Sequence, residues 1–485
     1  MRSLATAALD AAMRSGVTYA DVRVIESQDR GLTTKNGRPG NVSSAESIGL
    51  GIRVIAGGCW GFAATDDLTT DGINTAAALA ISIARASALA KKHDVVLAPE
   101  SKYESTWVSP CAIDPFSIPV DRQIGYLLKV DAELRRNSGV TLSETGLHFE
   151  RTRQVFASSI GSLIDQTRTV SGAGMSAYCF KDDEIQKRSY PNSFGGQFQI
   201  RGYELVEELD LLGHAARVAD EAVALHSADR CPEGEFNLIL DSSQLGLQIH
   251  ESIGHPIELD RVLGSEANYA GMSFLTLDKL NTLRYGSDIV NVVCDARLEH
   301  GPGLGTFAFD DEGVPAQSTD IIRTGQFKGY MTSRETAAAI GEQRSNGTMR
   351  ANGWARIPLI RMTNVSLLPG EHSLDEVFGG VDHAIYMETN KSWSIDDKRY
   401  NFQFGTEIAW EIRNGKRVRM LKNATYSGIT TEFWNSCEAI SGREHWTLWG
   451  VPNCGKGQPE QVMGTGHGAS PSRFRNIKVG AGYAG

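Results

Sequence analysis

No stretch of the chain approaches the roughly 18 consecutive apolar residues that a membrane-spanning helix needs. The opening MRSLATAALDAAMRSG holds no signal-peptide core either, because Asp10 and Arg14 interrupt its Ala-rich run. It reads as the first helix of a cytoplasmic protein. Cysteine is scarce, 7 in 485 residues, an odd and scattered set that excludes a disulfide framework and fits a reducing compartment. Positive charge is in deficit: 48 Lys+Arg against 58 Asp+Glu give a formal net charge of −10. A phosphate backbone is repelled on average, so no direct nucleic-acid partner is expected. No GxGxxG motif follows a strand in a βαβ context, which argues against a parallel dinucleotide fold. Internal repeats, low-complexity tracts and coiled-coil heptads are also missing.

What remains is an ordinary globular composition, 41% apolar and 22% charged, with 51 glycines that imply many tight turns. Helical spacing over 3–15, closed by Gly16, is followed by strand-like alternation at 19–26 and 47–65. Thr69, Thr70 and Asp71 are cap candidates for an Ala-rich helix over about 73–92, whose small side chains suit close approach to a sheet. A second helix fits 119–137, a β-meander 139–200, and a further helix 203–226. The polar segment SADRCPEGE (227–235) marks a boundary. Beyond it come a strand at 236–241, a helix capped by Ser242 or Ser243, and a hairpin turn at Asn414-Gly415. The expected fold class is α+β in two domains. Residues 1–228 form an N-terminal sheet with flanking helices, and residues 229–485 a Gly-rich, β-dominated domain carrying the metal-site helix.

The sharpest local signal is His250-Glu251-Ser252-Ile253-Gly254-His255, followed by Pro256. Two imidazoles to hold a metal, with an adjacent carboxylate to take a proton from water, are what a zinc hydrolase needs. The spacing is unusual. Histidines four apart lie about 40° apart around a helix, whereas five apart they diverge by about 140°. Gly254 is permissive and Pro256 disfavours helical geometry at His255, so the helix is expected to end or widen into a π-type turn there. A third ligand is open on local grounds: Glu258 and Asp260 lie just past the proline. Far downstream, Cys454 stands in a glycine-rich loop, Asn453-Cys454-Gly455-Lys456-Gly457, where the lysine and exposed backbone amides favour a thiolate suited to zinc. Cys179 and Cys294, in apolar strands, read as packing residues.

Taken together, HESIGHPIELDR (250–261), FAFDDEGVPAQ (307–317), IRMTN (360–364), SWSIDDKRYNFQFG (392–405), WGVPNCGKGQP (449–459) and HGASPSRFRNI (467–477) resemble the TldD/PmbA metallopeptidase family. YADVRV and GIRVIAGGCWGFAATDDLT are similar to its N-terminal half. The family pairs a metal-bearing, TldD-type subunit carrying H-E-x-x-x-H with a TldE/PmbA-type subunit that lacks it, and this chain resembles the metal-bearing side. The resemblance implies zinc (Zn2+) on His250, His255 and Cys454, with Glu251 as general base. It also implies hydrolysis of unfolded or flexible peptides, and a dimer with a TldE/PmbA-like partner or with a second copy. The alternative is a catalytically silent, metal-stabilised interaction subunit, in which Glu258 or His467 closes a four-ligand site.

Other residues are weighed against plainer readings. His467 is either an oxyanion stabiliser, a spare ligand or a turn histidine. Asp310, Asp311 and Glu312 read as a group that contacts substrate or supports the metal ligands, or as a solvated turn, and Asp396, Asp397, Lys398 and Arg399 as a surface salt-bridge cluster or, less readily, a functional group. Arg350 and Arg361 could grip a peptide carboxylate or serve folding. Trp393, Trp434, Trp446 and Trp449 are expected in the C-terminal core, and His93, His148, His214, His226, His300, His372, His383 and His445 are treated as structural.

Overall fold

The computed structural model describes residues 1–14 and 16–481. The chain begins with helix α1 (Arg2–Ala12), so the helix expected over 3–15 stops earlier, and Ser15 lies outside the described residues. Two long hairpin arms follow, β1 (Val17–Lys35) and β2 (Arg38–Ala56), then β3 (Cys59–Thr65). Helix α2 (Thr70–Ser87) is shorter than expected and is capped by Thr69, whose side chain accepts from the Gly72 amide. After β4 (Glu104–Val108), helix α3 (Val120–Leu134) starts at Pro119. The expected meander is β5 (Leu142–Ser158), β6 (Leu163–Lys181), β7 (Glu184–Tyr190) and β8 (Gln197–Gln199). The 203–226 helix is split into α4 (Glu204–Leu209) and α5 (Leu211–Ser227) by Asp210, which sits left-handed at φ 42° and caps the second piece.

These strands make one eight-stranded sheet, ordered β3-β2-β1-β5-β6-β4, with β7 and β8 also paired to β6. Its helices lie on one face in two patches. Ala5, Ala8 and Ala12 of α1 and Ala76, Ala77 and Ala80 of α2 pack on Val22, Val24 and Ile52. Leu127 and Val130 of α3 and Ala215 and Val218 of α5 pack on Leu147, Phe149 and Met175. Helix α2 comes so close that a Cβ on Gly61 would stand 2.0 Å from the Ala80 carbonyl oxygen, which is why a glycine is needed there. The opposite face of the sheet turns towards the second half.

That half opens with β9 (Asp229–Arg230), β10 (Gly234–Leu240) and helix α6 (Ser242–Ile249), and a short α7 (Leu259–Val262) follows. Next come β11 (Val292–Asp295), β12 (Ser318–Arg323), β13 (Gln326–Phe327), the small pair β14 (Met349–Arg350) and β15 (Leu359–Ile360), and β16 (Asn364–Leu367). Helix α8 (Leu374–Gly379) precedes β17 (His383–Ile395), β18 (Asn401–Arg413), β19 (Lys416–Lys422) and β20 (Ala424–Ile429). Helix α9 (Thr430–Asn435), β21 (Cys437–Ile440), β22 (Thr447–Lys456), β23 (Gln461–Ala469) and β24 (Ser472–Ala481) complete the chain. The β18–β19 turn is the expected Asn414-Gly415, with φ 48° and 75°.

Two sheets result: an eight-stranded one that includes β17, β10, β24, β20 and β18, and a six-stranded one ordered β13-β12-β11-β16-β23-β22. The mixture of helices and mainly antiparallel strands agrees with the α+β expectation. Between the two sheets runs the largest apolar cluster, including Leu245, Ile249, Ile253, Met362, Phe404 and Trp434, and α6 is buried along its whole length inside it. No helix among the described residues is long and apolar enough to cross a membrane.

Candidate metal centre

Helix α6 starts from a different residue than expected. Asp241, not Ser242 or Ser243, is the cap, accepting from the Ser243 amide at 2.8 Å. At its far end the helix widens into a π-turn over His250–Gly254, and the His255 amide donates to the His250 carbonyl at 3.1 Å. That extra residue in the turn is what the i, i+5 histidine pair requires: the rings come to 4.9 Å between centroids, at 85°. Gly254 is needed for contact, since a Cβ there would lie 2.2 Å from the Met362 sulfur. The turn is pinned at Ser252, whose hydroxyl donates to the Gln248 carbonyl at 2.6 Å and accepts from the Trp434 indole at 3.0 Å. The Tyr285 hydroxyl donates to the Ser252 carbonyl.

Cys454 arrives from the other end of the chain. It lies within β22, paired with Met463 of β23, and not in a loop. Its sulfur stands 3.9 Å from His255 Nε2, and donor atoms of His250, His255 and Cys454 all fall within 4.8 Å of one another. All three side chains are buried.

The outer partners of the imidazoles fix their tautomers. His467 Nδ1 faces the Val365 carbonyl oxygen at 3.0 Å, a pure acceptor, so that nitrogen carries the hydrogen. Its Nε2 is then an acceptor, and His250 Nδ1, 2.8 Å away, donates to it. His255 Nδ1 similarly donates to Glu258 Oε2 at 3.2 Å. Both histidines are thus left with the lone pair on Nε2. Burial lowers the pKa of His250 and His255 and, well below its usual value, that of His467, which keeps all three neutral. At Cys454, burial opposes ionisation, yet the thiol pKa is lowered: a protonated His255 ring favours the thiolate, and so does the Arg361 guanidinium. Two neutral imidazoles and an acidified thiol, with the ring tautomers held by hydrogen bonds, fit the nitrogen and sulfur donors that zinc takes at about 2.0–2.3 Å.

Lys456 plays another part than the one its position suggested. Fully buried, it bonds Asp260 at 2.7 Å and lies 3.4 Å from Glu258 and 3.5 Å from Glu266, and it donates to the Ile360 carbonyl. Arg261 joins the same group, 3.2 Å from Glu258 and 3.1 Å from Glu266. Burial would raise Glu258, but Lys456, His255 and Arg261 hold it well below the usual carboxylate range. Burial and Glu258 instead push Glu266 up to about 7. Glu258 and Asp260 therefore serve as ring holder and counter-ion. Glu266 and Arg261 were not singled out in the sequence; Glu266 lies in an irregular segment with no periodic signal.

Glu251 is 6% exposed, and its carboxylate accepts from Arg399 Nη1 at 2.9 Å. The 396–399 cluster is accordingly no plain surface network: Arg399 points inward, while Asp396 ties the turn by accepting from the Tyr400 and Asn401 amides. His467 lies on β23 behind His250, with its Nε2 accepting from the His250 Nδ1, so it is not a turn residue. Asp310, Asp311 and Glu312 are buried, not solvated. Asp310 accepts from the amides of Glu312, Val314 and Met349, Asp311 from that of Ala351, and Glu312 bonds Arg53 at 3.2 Å across the two halves. Arg350 and Arg361 are occupied by backbone carbonyls, Arg361 by that of Cys454 itself. Trp434 is fully buried, but Trp393 is 46% exposed and outside the core. Among the described residues, the remaining histidines take no part in a metal-type cluster, and all seven cysteines are free.

Three family models match the chain in order: PmbA/TldA metallopeptidase domain 1 over residues 20–84, the central domain over 113–226 and the C-terminal domain over 233–481. A metalloprotease of Methanocaldococcus jannaschii is 27% identical over 93% of this chain and 95% of its own length. A zinc metalloprotease TldD homolog of Saccharolobus solfataricus is 31% identical over 52% of each chain. TldE from Thermococcus kodakarensis has the same fold at 16% identity, with a TM-score of 0.72 over 99% of this chain and 100% of its own.

Proposed function

Because the chain belongs to the PmbA/TldA metallopeptidase family, we propose that it is a zinc-dependent peptidase for unfolded or flexible peptides, with His250, His255 and Cys454 as ligands and Glu251 as general base. The observation that supports the reading most is the convergence of three buried donors, from positions some two hundred residues apart, beside a carboxylate that is itself oriented. Zinc bound there would supply a Lewis acid that makes water easier to deprotonate near neutral pH.

The protein side of the chemistry follows from the contacts. Glu251 accepts the proton of the attacking water and returns it to the leaving amine. Arg399, on one carboxylate oxygen, keeps the side chain in one rotamer and leaves the other oxygen for the proton. His467 and Glu258 hold the two rings, so neither is free to close a fourth coordination position. That favours the catalytic over the silent reading. The T. kodakarensis TldE shares the fold. A TldE/PmbA-like partner, or a second copy, is the companion subunit that fits this reading, in the cytoplasm.

The test is zinc content together with peptide cleavage. Glu251→Ala should keep its zinc and lose turnover by about 10²–10⁴-fold. His250→Ala and Cys454→Ser should lose both. Full activity in Glu251→Ala would remove the general base, and unchanged zinc in Cys454→Ser would remove the ligand set.

A further inference from the structure

A cavity of about 350 Å³ lies at the seam between the two halves. One wall is the helix-free face of the first sheet. Ser27, Thr152 and Arg168 stand in one cross-strand row of β1, β5 and β6, and Ile25, Gln154 and Gln166 in the next. Paired residues on neighbouring strands project from the same face, so these side chains form a continuous surface. The other wall includes Arg350, Phe307 and Met463. Met463 is the cross-strand partner of Cys454, which puts the cavity against the hairpin that carries the candidate thiolate ligand.

The charges in this cavity are unequally satisfied. Asp311 is bonded by Gln154 and the Ala351 amide, Asp310 by three amides, Asp29 lies 3.4 Å from His148, and Glu150 accepts from Thr152. Arg350 is held by the carbonyls of Met362, Gly464 and Leu304. Arg168 alone among these has no ion pair or hydrogen bond to any described residue, although its Nε is buried. Burial, then Arg168, then Arg361 pull the Arg350 guanidinium down to about 9, still cationic at neutral pH. An unpaired guanidinium crowded by another cation in a half-apolar cavity lacks an anion of the right size.

Resting on the peptidase reading, we infer that this cavity is a substrate subsite in which Arg168 binds a carboxylate of the peptide in bidentate fashion. The carboxylate can come from the peptide's C-terminus or from an Asp or Glu side chain; the cavity chemistry is the same. Apolar Phe307, Ile25 and Met463 would cover the adjoining stem.

The experiment uses the full-length Glu251→Gln protein and three fluorescein-labelled heptapeptides: one with a free C-terminal carboxylate, its amide, and an amide with one internal Glu. Anisotropy should show the free acid, the Glu peptide, or both binding about tenfold tighter than the neutral amide. Which of the two gains identifies the source of the carboxylate. In Glu251→Gln/Arg168→Met that preference should collapse towards unity, and Arg168→Lys should restore part of it, as a charge without the planar fork. Equal binding of all three peptides, or a preference that survives Arg168→Met, overturns the inference. Hydrolysis is read separately, in the protein with Glu251 intact. Carboxylate preference without cleavage would leave the subsite standing and remove the peptidase reading; cleavage without preference would do the reverse.

Discussion

The two halves of the molecule bury different things. In the first, the faces of α1 and α2 are alanine and isoleucine laid on valine and isoleucine. In the second, Glu258, Arg261, Glu266 and Lys456 are all 0% exposed, directly behind the candidate ligands. Some buried ions of the first half lie where it meets the second: Arg53 bonds Asp21 at 2.6 Å and Glu312 at 3.2 Å, and Arg23 reaches the Arg356 carbonyl at 2.5 Å, whereas Asp131 is held within the first half by the Thr34 and Ser143 hydroxyls. An apolar interface tolerates changes of volume, because it loses only transfer energy and a small cavity. A buried ion cluster tolerates little, since deleting one partner leaves the others uncompensated. The first half is thus a scaffold that follows its own pattern, and the second is built around the geometry it must hold.

Two conservative substitutions separate these regimes. Lys456→Met keeps most of the volume but leaves Glu258, Asp260 and Glu266 with Arg261 as the cation still within the group, and it should destabilise the protein by about 3–5 kcal/mol. Ile52→Val in the alanine-lined core of the first half should cost about 0.5–1.5 kcal/mol. Urea unfolding of both variants measures the difference. Equal shifts would mean that the ion cluster is solvated enough to survive losing a charge, and the contrast drawn between the halves would fail.

The next effect concerns only the site. His467→Phe preserves a ring of similar size but removes the acceptor for His250 Nδ1–H, freeing that imidazole to turn or change tautomer. Zinc affinity, measured by chelator competition, should fall by about 10–100-fold, the usual loss when a ligand histidine loses its outer partner. An unchanged affinity would assign the orientation of His250 to the Thr465 hydroxyl, 3.4 Å from the same nitrogen.

The same contrast explains what the sequence made legible. Strands β1–β3, the meander and α2 follow from local alternation, Gly turns and a Thr cap, because each depends on residues near in the chain. The π-turn could be deduced too: a five-residue histidine spacing, a glycine and a proline leave few other ways to bring two rings together. Local reading failed where the partner is distant. The acidic turn 310–312 looked solvated but is consumed by amides some forty residues on and by Arg53 of the first half. Lys456 looked like an activator of Cys454, and two positions along β22 it does share that residue's face, yet its nitrogen is taken up by distant partners, bonding Asp260 with Glu258 and Glu266 close by. Arg399 was visible only as one charge among four. Nothing local says that one of them reaches Glu251.

The smallest effect tests the scaffold's independence from the site. Thr69 caps α2 by accepting from the Gly72 amide at 3.2 Å, at an exposed helix start. Thr69→Ala should therefore cost about 1 kcal/mol in unfolding free energy, as lost caps generally do. Helix α2 rests on the helix-bearing face of the first sheet, whereas the candidate cavity opens on the other face. The loss should accordingly appear in the urea midpoint and nowhere else, with zinc content and peptide turnover as in the unaltered protein. A drop in either would show that the sheet transmits strain from its helix face to its cavity face, and the first half would then belong to the catalytic geometry as well.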